Sequence, residues 1–285
     1  MCKHPHSVSI LYFSFYSKSE LFLHSPMQRD GTFASSFQSF LLHVIAHCFF
    51  LMGKDYFQFK QFGVSQSRCA MKVSTDSVLL GAYAPSEGIG SILDIGCGTG
   101  LLSLMMAQRT EHYCKICAIE IDPETAVQAQ ENISASPWSS RITVIQKDFN
   151  HYSAKEPFDL IISNPPYFSS SLLPPNSQRA LARHDGQLSL TQLFTGISKM
   201  LTTRGQAAII LPFASLQTAI DIALSAGLYA TKALFVHPKT GSNPKRVILT
   251  FCRHNKGFEE EDFFIYDSSG KYTPSFLHLT KDFYL

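Results

Sequence analysis

Short apolar runs alternate with amphipathic segments along the chain from Ser91 onward. Four runs of five or six residues have the length and aliphatic content of buried strands: Ser91–Ile95, Lys115–Glu120, Ile142–Gln146 and Phe158–Ser163. Residues 101–108, 124–136, 188–201 and 214–226 have helical spacing of their apolar positions. This alternation predicts an α/β fold with a doubly wound, mostly parallel sheet.

The pattern changes near the C-terminus. Residues 206–211, 230–236 and 247–251 are three more predicted strands, but only a loop, residues 237–246, joins the last two. Without a crossover helix, two consecutive strands pair antiparallel. We therefore expect an antiparallel C-terminal hairpin at the edge of the sheet.

The first fifty-one residues are rich in Ser, Phe and His and have no clear period. Their one apolar run, residues 40–52, is shorter than the roughly 20 residues that span a bilayer and contains His43 and His47. We interpret residues 1–51 as a disordered extension or a misplaced start, with an added interaction segment as the alternative. Residues 52–285 are predicted to form a single domain.

The composition of the chain bears on nucleic-acid binding, metal binding and the state of its cysteines. The chain has 285 residues, 45% of them hydrophobic, and a net charge of +2, which is too small to identify a nucleic-acid-binding protein. Its seven cysteines have no framework spacing, and Cys114 and Cys117 lack the second pair that a zinc site needs. We expect a monomeric cytoplasmic protein with reduced thiols, no bound metal and no membrane association.

A glycine-rich turn follows the first predicted strand. Asp94 begins the motif DIGCGTG, and Gly96, Gly98 and Gly100 lie where a strand-to-helix turn must be tight. The spacing differs from the G-x-G-x-x-G of dinucleotide sites. It matches the D-x-G-x-G-x-G form of enzymes that use S-adenosylmethionine, and Asp94 suits that ligand's positive charge. We therefore predict S-adenosylmethionine as the cofactor.

Carboxylates follow the next two strands. Glu120 ends the second strand, about twenty residues after the glycines, where an acceptor for ribose hydroxyls is expected. Asp122 precedes Pro123 and is predicted to cap a helix, with a second ribose contact as the alternative. Asp148 follows the third strand and is predicted to accept from the adenine amine of the cofactor.

The tetrapeptide Asn164-Pro165-Pro166-Tyr167 follows the fourth strand and is our predicted catalytic group. A planar amine or amide is a poor nucleophile because its lone pair is delocalised. The Asn164 side-chain oxygen and the Pro165 carbonyl would accept its two N–H groups, and Tyr167 would stack on the ring. The prolines hold the turn extended without a competing donor. Asn164 is also assigned to the cofactor site, and the alternative is a structural proline-rich loop.

One segment before the sheet completes the predicted cofactor site. Thr75 and Asp76 can cap a short helix that packs beside the glycines and faces the methionine end of the cofactor. Lys72 would meet a carboxylate there or an RNA phosphate. Structural capping alone is the alternative for Thr75 and Asp76.

Several segments resemble the bacterial tRNA(Val) adenine-37 N6-methyltransferases. The similar segments are FQFKQF at 57–62, CAMKV at 69–73, Thr75-Asp76, LLGA at 79–82, SPW at 136–138 and LTKDFYL at 279–285. The tetrapeptide occurs in several amino-methyltransferase families, so the opening and closing segments select this one. The extension before Met52 departs from the family pattern.

The resemblance implies a Rossmann-like class I methyltransferase that acts on adenosine 37 of the tRNA anticodon loop. Basic residues near the site would then contact tRNA, with ordinary solvated surface as the alternative: Arg179, Arg183, His184, Lys245 and Arg246. Three other functions stay open: adenine methylation of another RNA or of DNA, glutamine N5-methylation of a release factor, and an idle methyltransferase fold that only binds.

Overall fold

The computed structural model describes residues 55–69, 71–166 and 188–285. The helices in these ranges are α1 Thr75–Tyr83, α2 Leu101–Arg109, α3 Pro123–Ser134, α4 Leu190–Met200, α5 Leu216–Ser225 and α6 Pro274–Thr280. The strands are β1 Tyr56–Gln58, β2 Gly63–Ser65, β3 Ser91–Ile95, β4 Lys115–Glu120, β5 Ile142–Gln146, β6 Phe158–Ser163, β7 Leu201–Pro212, β8 Tyr229–Lys239, β9 Arg246–Cys252 and β10 Glu259–Tyr266. None of these helices is long and apolar enough to cross a membrane.

Eight of the described strands form one sheet in the order β10-β8-β9-β7-β6-β3-β4-β5. The five strands from β7 to β5 are parallel, and β9 pairs antiparallel with both β7 and β8. Helices α2, α3 and α4 follow β3, β4 and β6, and a short 3₁₀ helix, Phe149–His151, lies between β5 and β6. The predicted doubly wound, mostly parallel sheet is confirmed, and so is the antiparallel hairpin of β8 and β9.

The predicted place of that hairpin at the sheet edge is wrong. Strand β10 pairs parallel with β8 and lies outside the hairpin. Its first four residues are Glu259, Glu260, Glu261 and Asp262, and all four are exposed. Charged side chains on an outermost strand discourage pairing with another chain. Strand β10 was therefore not predicted, because its acidic first half lacks the apolar alternation that indicates a strand.

The core lies on both faces of the sheet. Neighbouring strand residues point to opposite faces, so Ile162 belongs to the same hydrophobic cluster as Met105 of α2, while Ile161 belongs to the other cluster, with Phe194 of α4. All four side chains are fully buried. Burial on both sides explains why the central strands are nearly continuous apolar runs.

The parallel strands end together at one side of the sheet, here called the carboxyl edge. The segments that follow β3, β4, β5, β6 and β7 all begin there. In the antiparallel ladder, Arg246 pairs with Pro212, the last residue of β7. The loop between β8 and β9 therefore also lies at the carboxyl edge. In open α/β sheets, ligands bind at this edge.

The small β1–β2 hairpin is attached to this arrangement through Asn132 of α3. The Asn132 side chain accepts from Ser65 N at 2.9 Å and donates to Ser65 O at 2.8 Å. It also donates to Thr99 O at 2.9 Å. One buried amide thus connects the N-terminal hairpin to the turn after β3.

Candidate active site

A cavity of about 770 Å³ opens at the carboxyl edge. This volume lies within the range of roughly 300–1,000 Å³ that is usual for small-molecule sites. Its wall brings together the turn after β3, the ends of β4 and β6, and the chain before α1. The predicted site residues in the wall are Gly96, Gly98, Glu120, Asp148, Asn164, Pro165 and Pro166.

Three glycines shape the turn after β3, and each has a positive φ. The φ angles are 69° at Gly96, 55° at Gly98 and 81° at Gly100, a region that residues with a Cβ rarely adopt. Gly96 and Gly98 lie in the cavity wall. Gly100 does not, and an added Cβ there would lie 3.3 Å from the Ile133 side chain, so Gly100 permits the close packing of α2 on α3.

The Glu120 carboxylate holds this turn from the end of β4. Its Oε2 accepts from Gly98 N at 2.9 Å, and its Oε1 accepts from Asp122 N at 3.0 Å. The side chain is buried and lies in the cavity wall. Because a carboxylate offers about four lone-pair positions, each oxygen can still accept from a ligand.

Asp122 caps α3, as predicted. Its Oδ2 accepts from Thr125 N at 2.8 Å, and Pro123 is the first helical residue. Hydrogen bonds from Thr125 lower the pKa of the Asp122 carboxyl. Asp122 also lies in the cavity wall, so its alternative role as a second ribose contact stays a prediction.

Asp94 lies outside the cavity wall and is fully buried behind the turn. Its Oδ2 accepts from Ser103 N at 3.1 Å and from Ser103 Oγ at 2.7 Å, which ties the end of β3 to α2. Its Oδ1 has no hydrogen-bond partner among the described residues. Burial raises the pKa of this carboxyl to about 7.

Asn164 follows β6 directly and is buried in the cavity wall. Its Nδ2 donates to Ser77 Oγ at 2.8 Å, while its Oδ1 is buried without a partner in the part of the chain that the structure describes. Pro165 is buried and Pro166 is exposed beside it. Proline has no N–H, so neither residue offers a backbone donor to Oδ1. Tyr167 lies outside the described residues.

Asp148 lies in the wall near Glu120, on the turn after β5. Its Oδ1 accepts from Asn150 N at 2.8 Å, and its Oδ2 lies 3.3 Å from His151 Nδ1. These contacts orient the carboxylate at the start of a short 3₁₀ helix, Phe149–His151. Its predicted contact with the adenine amine stays a prediction.

The segment before α1 differs from the prediction. The N-cap of α1 is Ser74, not Thr75 or Asp76, because Ser74 Oγ accepts from Ser77 N. Thr75 is exposed and outside the wall, as is Lys72, whose Nζ lies 2.8 Å from Asp55 Oδ1.

Four residues just upstream of Lys72 form this part of the wall instead: Ser67, Arg68, Cys69 and Met71. They were not predicted as cavity residues, because they have no period that indicates a buried face. A segment of irregular structure can line a site without any such signal.

The basic residues predicted to contact tRNA are only partly described. Lys245 is exposed in the β8–β9 loop at the carboxyl edge. Arg246 Nε lies 2.8 Å from Asp76 Oδ2, so this guanidinium contacts α1. Arg179, Arg183 and His184 lie outside the described residues. Within the described ranges, no group of three or more His, Cys, Asp or Glu side chains could hold a metal ion.

Comparison with known proteins places this site in a family. The family model for the methyltransferase small domain matches residues 69–187. A tRNA1(Val) (adenine(37)-N6)-methyltransferase from Bacteroides fragilis is 45% identical over 237 residues, which cover 82% of this chain and 99% of that protein. Proteins of the same name from Bacteroides thetaiotaomicron and Haemophilus influenzae are 43% and 45% identical, over 82% and 80% of this chain and 99% and 98% of theirs.

A solved structure supports the fold at lower similarity. A predicted O-methyltransferase from Agrobacterium tumefaciens has a TM-score of 0.55 and 21% identity, over 73% of this chain and 96% of that one. The sheet order, the glycine turn and the names of the relatives all indicate a methyltransferase. The chain belongs to the tRNA1(Val) (adenine(37)-N6)-methyltransferase family and has a Rossmann-like class I methyltransferase fold.

Proposed function

We propose that this protein transfers the methyl group of S-adenosylmethionine to N6 of adenosine 37 in the anticodon loop of tRNA(Val). The observation that carries the proposal is the buried Asn164 Oδ1, which belongs to a residue of the cavity wall and has no partner among the described residues. A buried acceptor without a donor is unfavourable by about 1–3 kcal/mol. An incoming N–H group would satisfy it. The relatives' names supply the identity of the amine.

The residues of the cavity fit S-adenosylmethionine. Glu120 can accept from ribose hydroxyls, and Gly96 and Gly98 allow a ligand to approach the backbone closely. Asp148 would accept from the adenine amine of the cofactor. When bound, this cofactor supplies a methyl group activated by a positively charged sulfonium.

Asn164 and Pro165 would prepare the nitrogen that receives the methyl group. If the Asn164 side-chain oxygen and the Pro165 carbonyl accept the two N–H bonds of the amine, the nitrogen is drawn toward tetrahedral geometry and its lone pair becomes less delocalised into the ring. This interaction strengthens as the nitrogen becomes tetrahedral, so it favours the transition state over the ground state. Correct alignment of reacting atoms can lower a barrier by up to about 7–11 kcal/mol.

The carboxyl edge would receive the anticodon loop. Pro166 is exposed beside Asn164, and Lys245 is exposed on the β8–β9 loop at the same edge of the sheet. Adenosine 37 lies in an unpaired loop, so turning it into the cavity is easier than flipping a base from a duplex. Lysine at this edge would meet phosphates and orient the RNA without reading its sequence.

Three alternatives use the same Asn-Pro-Pro loop. Adenine in another RNA or in DNA, and a glutamine amide of a release factor, also present a planar nitrogen with two hydrogens. An idle fold would bind the cofactor and transfer nothing. Identity of 43–45% over nearly the whole length of the relatives favours the tRNA substrate.

Labelled S-adenosylmethionine distinguishes these functions. The protein is incubated separately with unmodified tRNA(Val), with the same tRNA carrying guanosine at position 37, and with ribosomal RNA, DNA and release factor. Label in the first substrate alone supports the proposal. Label in another substrate, or equally in both tRNAs, overturns it. Absence of label in every substrate, together with measurable cofactor binding, supports the idle fold.

A further inference from the structure

The first turn of α1 lies directly behind Asn164. Ser77 on this turn accepts from the Asn164 Nδ2 at 2.8 Å, although the two residues are 87 positions apart in the chain. Ser77 does not belong to the cavity wall, whereas Asn164 does. The hydrogen bond therefore joins a residue of the cavity wall to one outside it.

Ser77 also belongs to a short chain of hydrogen bonds. Its Oγ lies 3.3 Å from Ser74 Oγ, and its backbone N–H donates to the same Ser74 oxygen. A hydroxyl carries one proton and two lone pairs. If Ser77 gives its proton to Ser74, only its lone pairs face Asn164, and the amide must present its NH₂ group to Ser77 and its oxygen to the cavity.

If the hydrogen bonds from Ser74 through Ser77 to Asn164 ran in the opposite direction, the site would be incompatible with amine methylation. Ser74 would then donate to Ser77, and Ser77 would donate to the amide oxygen. The amide would turn its NH₂ group toward the cavity, where it would face the hydrogens of the incoming amine. The direction of the Ser74–Ser77 hydrogen bond thus decides whether Asn164 offers an acceptor or a donor.

The same turn of α1 is held from a second side. Asp76 Oδ2 lies 2.8 Å from Arg246 Nε, at the start of β9. Both side chains are largely shielded, with 20% of Asp76 and 31% of Arg246 exposed. Two neighbouring residues therefore connect α1 to two other segments at the carboxyl edge. Asp76 contacts β9, and Ser77 contacts the loop after β6.

We infer that Ser77 is a positioning residue that sets the orientation of the Asn164 amide, so that its oxygen faces the methyl-accepting nitrogen. This inference deepens the proposed function and rests on it for its kinetic consequence. Ser77 lies outside the cavity wall, so it would act through Asn164 and not by touching substrate or cofactor. Its loss leaves the amide free to rotate, so only a part of the enzyme molecules has the productive arrangement.

Kinetics of Ser77→Ala test this role. We expect kcat for tRNA methylation to fall about fivefold to tenfold, the effect of losing one ordinary hydrogen bond. KM for tRNA and Kd for S-adenosylhomocysteine should stay within twofold of wild type. Ser77→Thr keeps the hydroxyl and should recover at least half of the wild-type kcat.

Ser136→Ala is a matched control. Its hydroxyl donates to Ile133 O at 2.7 Å, and Ser136 is outside the cavity wall. This variant should lower the melting temperature but keep kcat. Equal loss of kcat in Ser77→Ala and Ser136→Ala, or no recovery in Ser77→Thr, would overturn the positioning role.

A second measurement does not depend on activity. The Asn164 side-chain amide signals in ¹⁵N NMR are assigned by their absence in Asn164→Asp. In the wild type, one amide proton should exchange with water at least about tenfold more slowly than in Ser77→Ala, because it is hydrogen-bonded to Ser77. Equal exchange rates overturn the inference. A wild-type protein that methylates no tRNA overturns the proposed function alone, since the exchange measurement still decides the orientation.

Discussion

Replacement of Glu120 by alanine should weaken cofactor binding and, separately, destabilise the fold. Loss of charge-assisted hydrogen bonds to the ribose is unfavourable by about 1.5–3 kcal/mol. At 1.4 kcal/mol for each tenfold change, Kd for S-adenosylhomocysteine should rise by about 12-fold to 150-fold. The substitution also removes the acceptor of Gly98 N and Asp122 N, each an unpaired donor that destabilises by about 1–3 kcal/mol.

The structure offers a matched control for that second effect. Asp159 Oδ2 accepts from the backbone N–H groups of Gly90 and Ser91, both at 3.1 Å. It lies where β3 and β6 begin, at the opposite side of the sheet from the cavity. Asp159→Ala therefore also leaves two backbone donors without their carboxylate, but away from the cofactor.

Isothermal titration calorimetry with S-adenosylhomocysteine, together with thermal unfolding, separates the two contributions. Both variants should have lower melting temperatures, and only Glu120→Ala should have a raised Kd. An unchanged Kd in Glu120→Ala would refute the ribose role and leave Glu120 as a support of the glycine turn. Equally raised Kd values in both variants would mean that general destabilisation, not ribose contact, weakens binding.

Four further predictions concern the rate, RNA affinity, pH dependence and domain boundary. Asn164→Ala should keep Kd for S-adenosylhomocysteine and lose at least about a hundredfold in single-turnover rate, because its oxygen acts mainly in the transition state. Lys245→Glu should weaken tRNA binding and reduce the slope of its salt dependence by about 1. Asp94→Asn should remove a pH dependence of stability: burial raises the pKa of Asp94 from 3.8 to about 7. The folded wild type therefore binds a proton that the unfolded chain releases, and its unfolding free energy should fall from about pH 4 to 7, by at most about 4 kcal/mol. A protein that begins at Met52 should melt and methylate like the full chain, since residues 54–285 form a compact unit by themselves.

Each of these predictions has a control or a contradicting result. A near wild-type single-turnover rate in Asn164→Ala would make the Asn-Pro-Pro loop structural. Lys155→Glu, an exposed lysine just before β6, should leave the tRNA salt slope unchanged, and equal slopes for Lys155→Glu and Lys245→Glu would make Lys245 ordinary surface. Parallel stability curves of Asp94→Asn and wild type between pH 4 and 8 would contradict the buried titration. Loss of several degrees in melting temperature, or of tRNA affinity, in the truncated protein would show that residues 1–51 contribute to structure or binding.

Local patterns predicted much of the fold. Strands β3, β4 and β6 were found from their length and apolar content, because burial on both faces requires continuous aliphatic runs. The cap of α3 was found from Asp122 and Pro123, since capping depends on neighbours within one turn. The glycine turn was found because positive φ angles restrict the residue type at each position.

Contacts between distant segments were not predictable in this way. Ser77 meets Asn164 only because α1 packs at the carboxyl edge, and neither residue's neighbours in sequence indicate the other. Lys72 was expected near the cofactor, but Ser67, Arg68, Cys69 and Met71 line the cavity instead. Arg246 was expected to face RNA, yet it contacts Asp76 across 170 positions, so its role in binding tRNA stays a prediction.

The position of the transferred methyl group tests the central proposal most directly. Unmodified tRNA(Val) is treated with the protein and S-adenosylmethionine, digested to oligonucleotides and analysed by tandem mass spectrometry. We expect one added methyl group, on N6 of adenosine 37, with the neighbouring nucleotides unchanged. A methyl group at another nucleotide or another atom of adenosine 37, or a tRNA that stays unmodified while release factor or DNA is methylated, would contradict it.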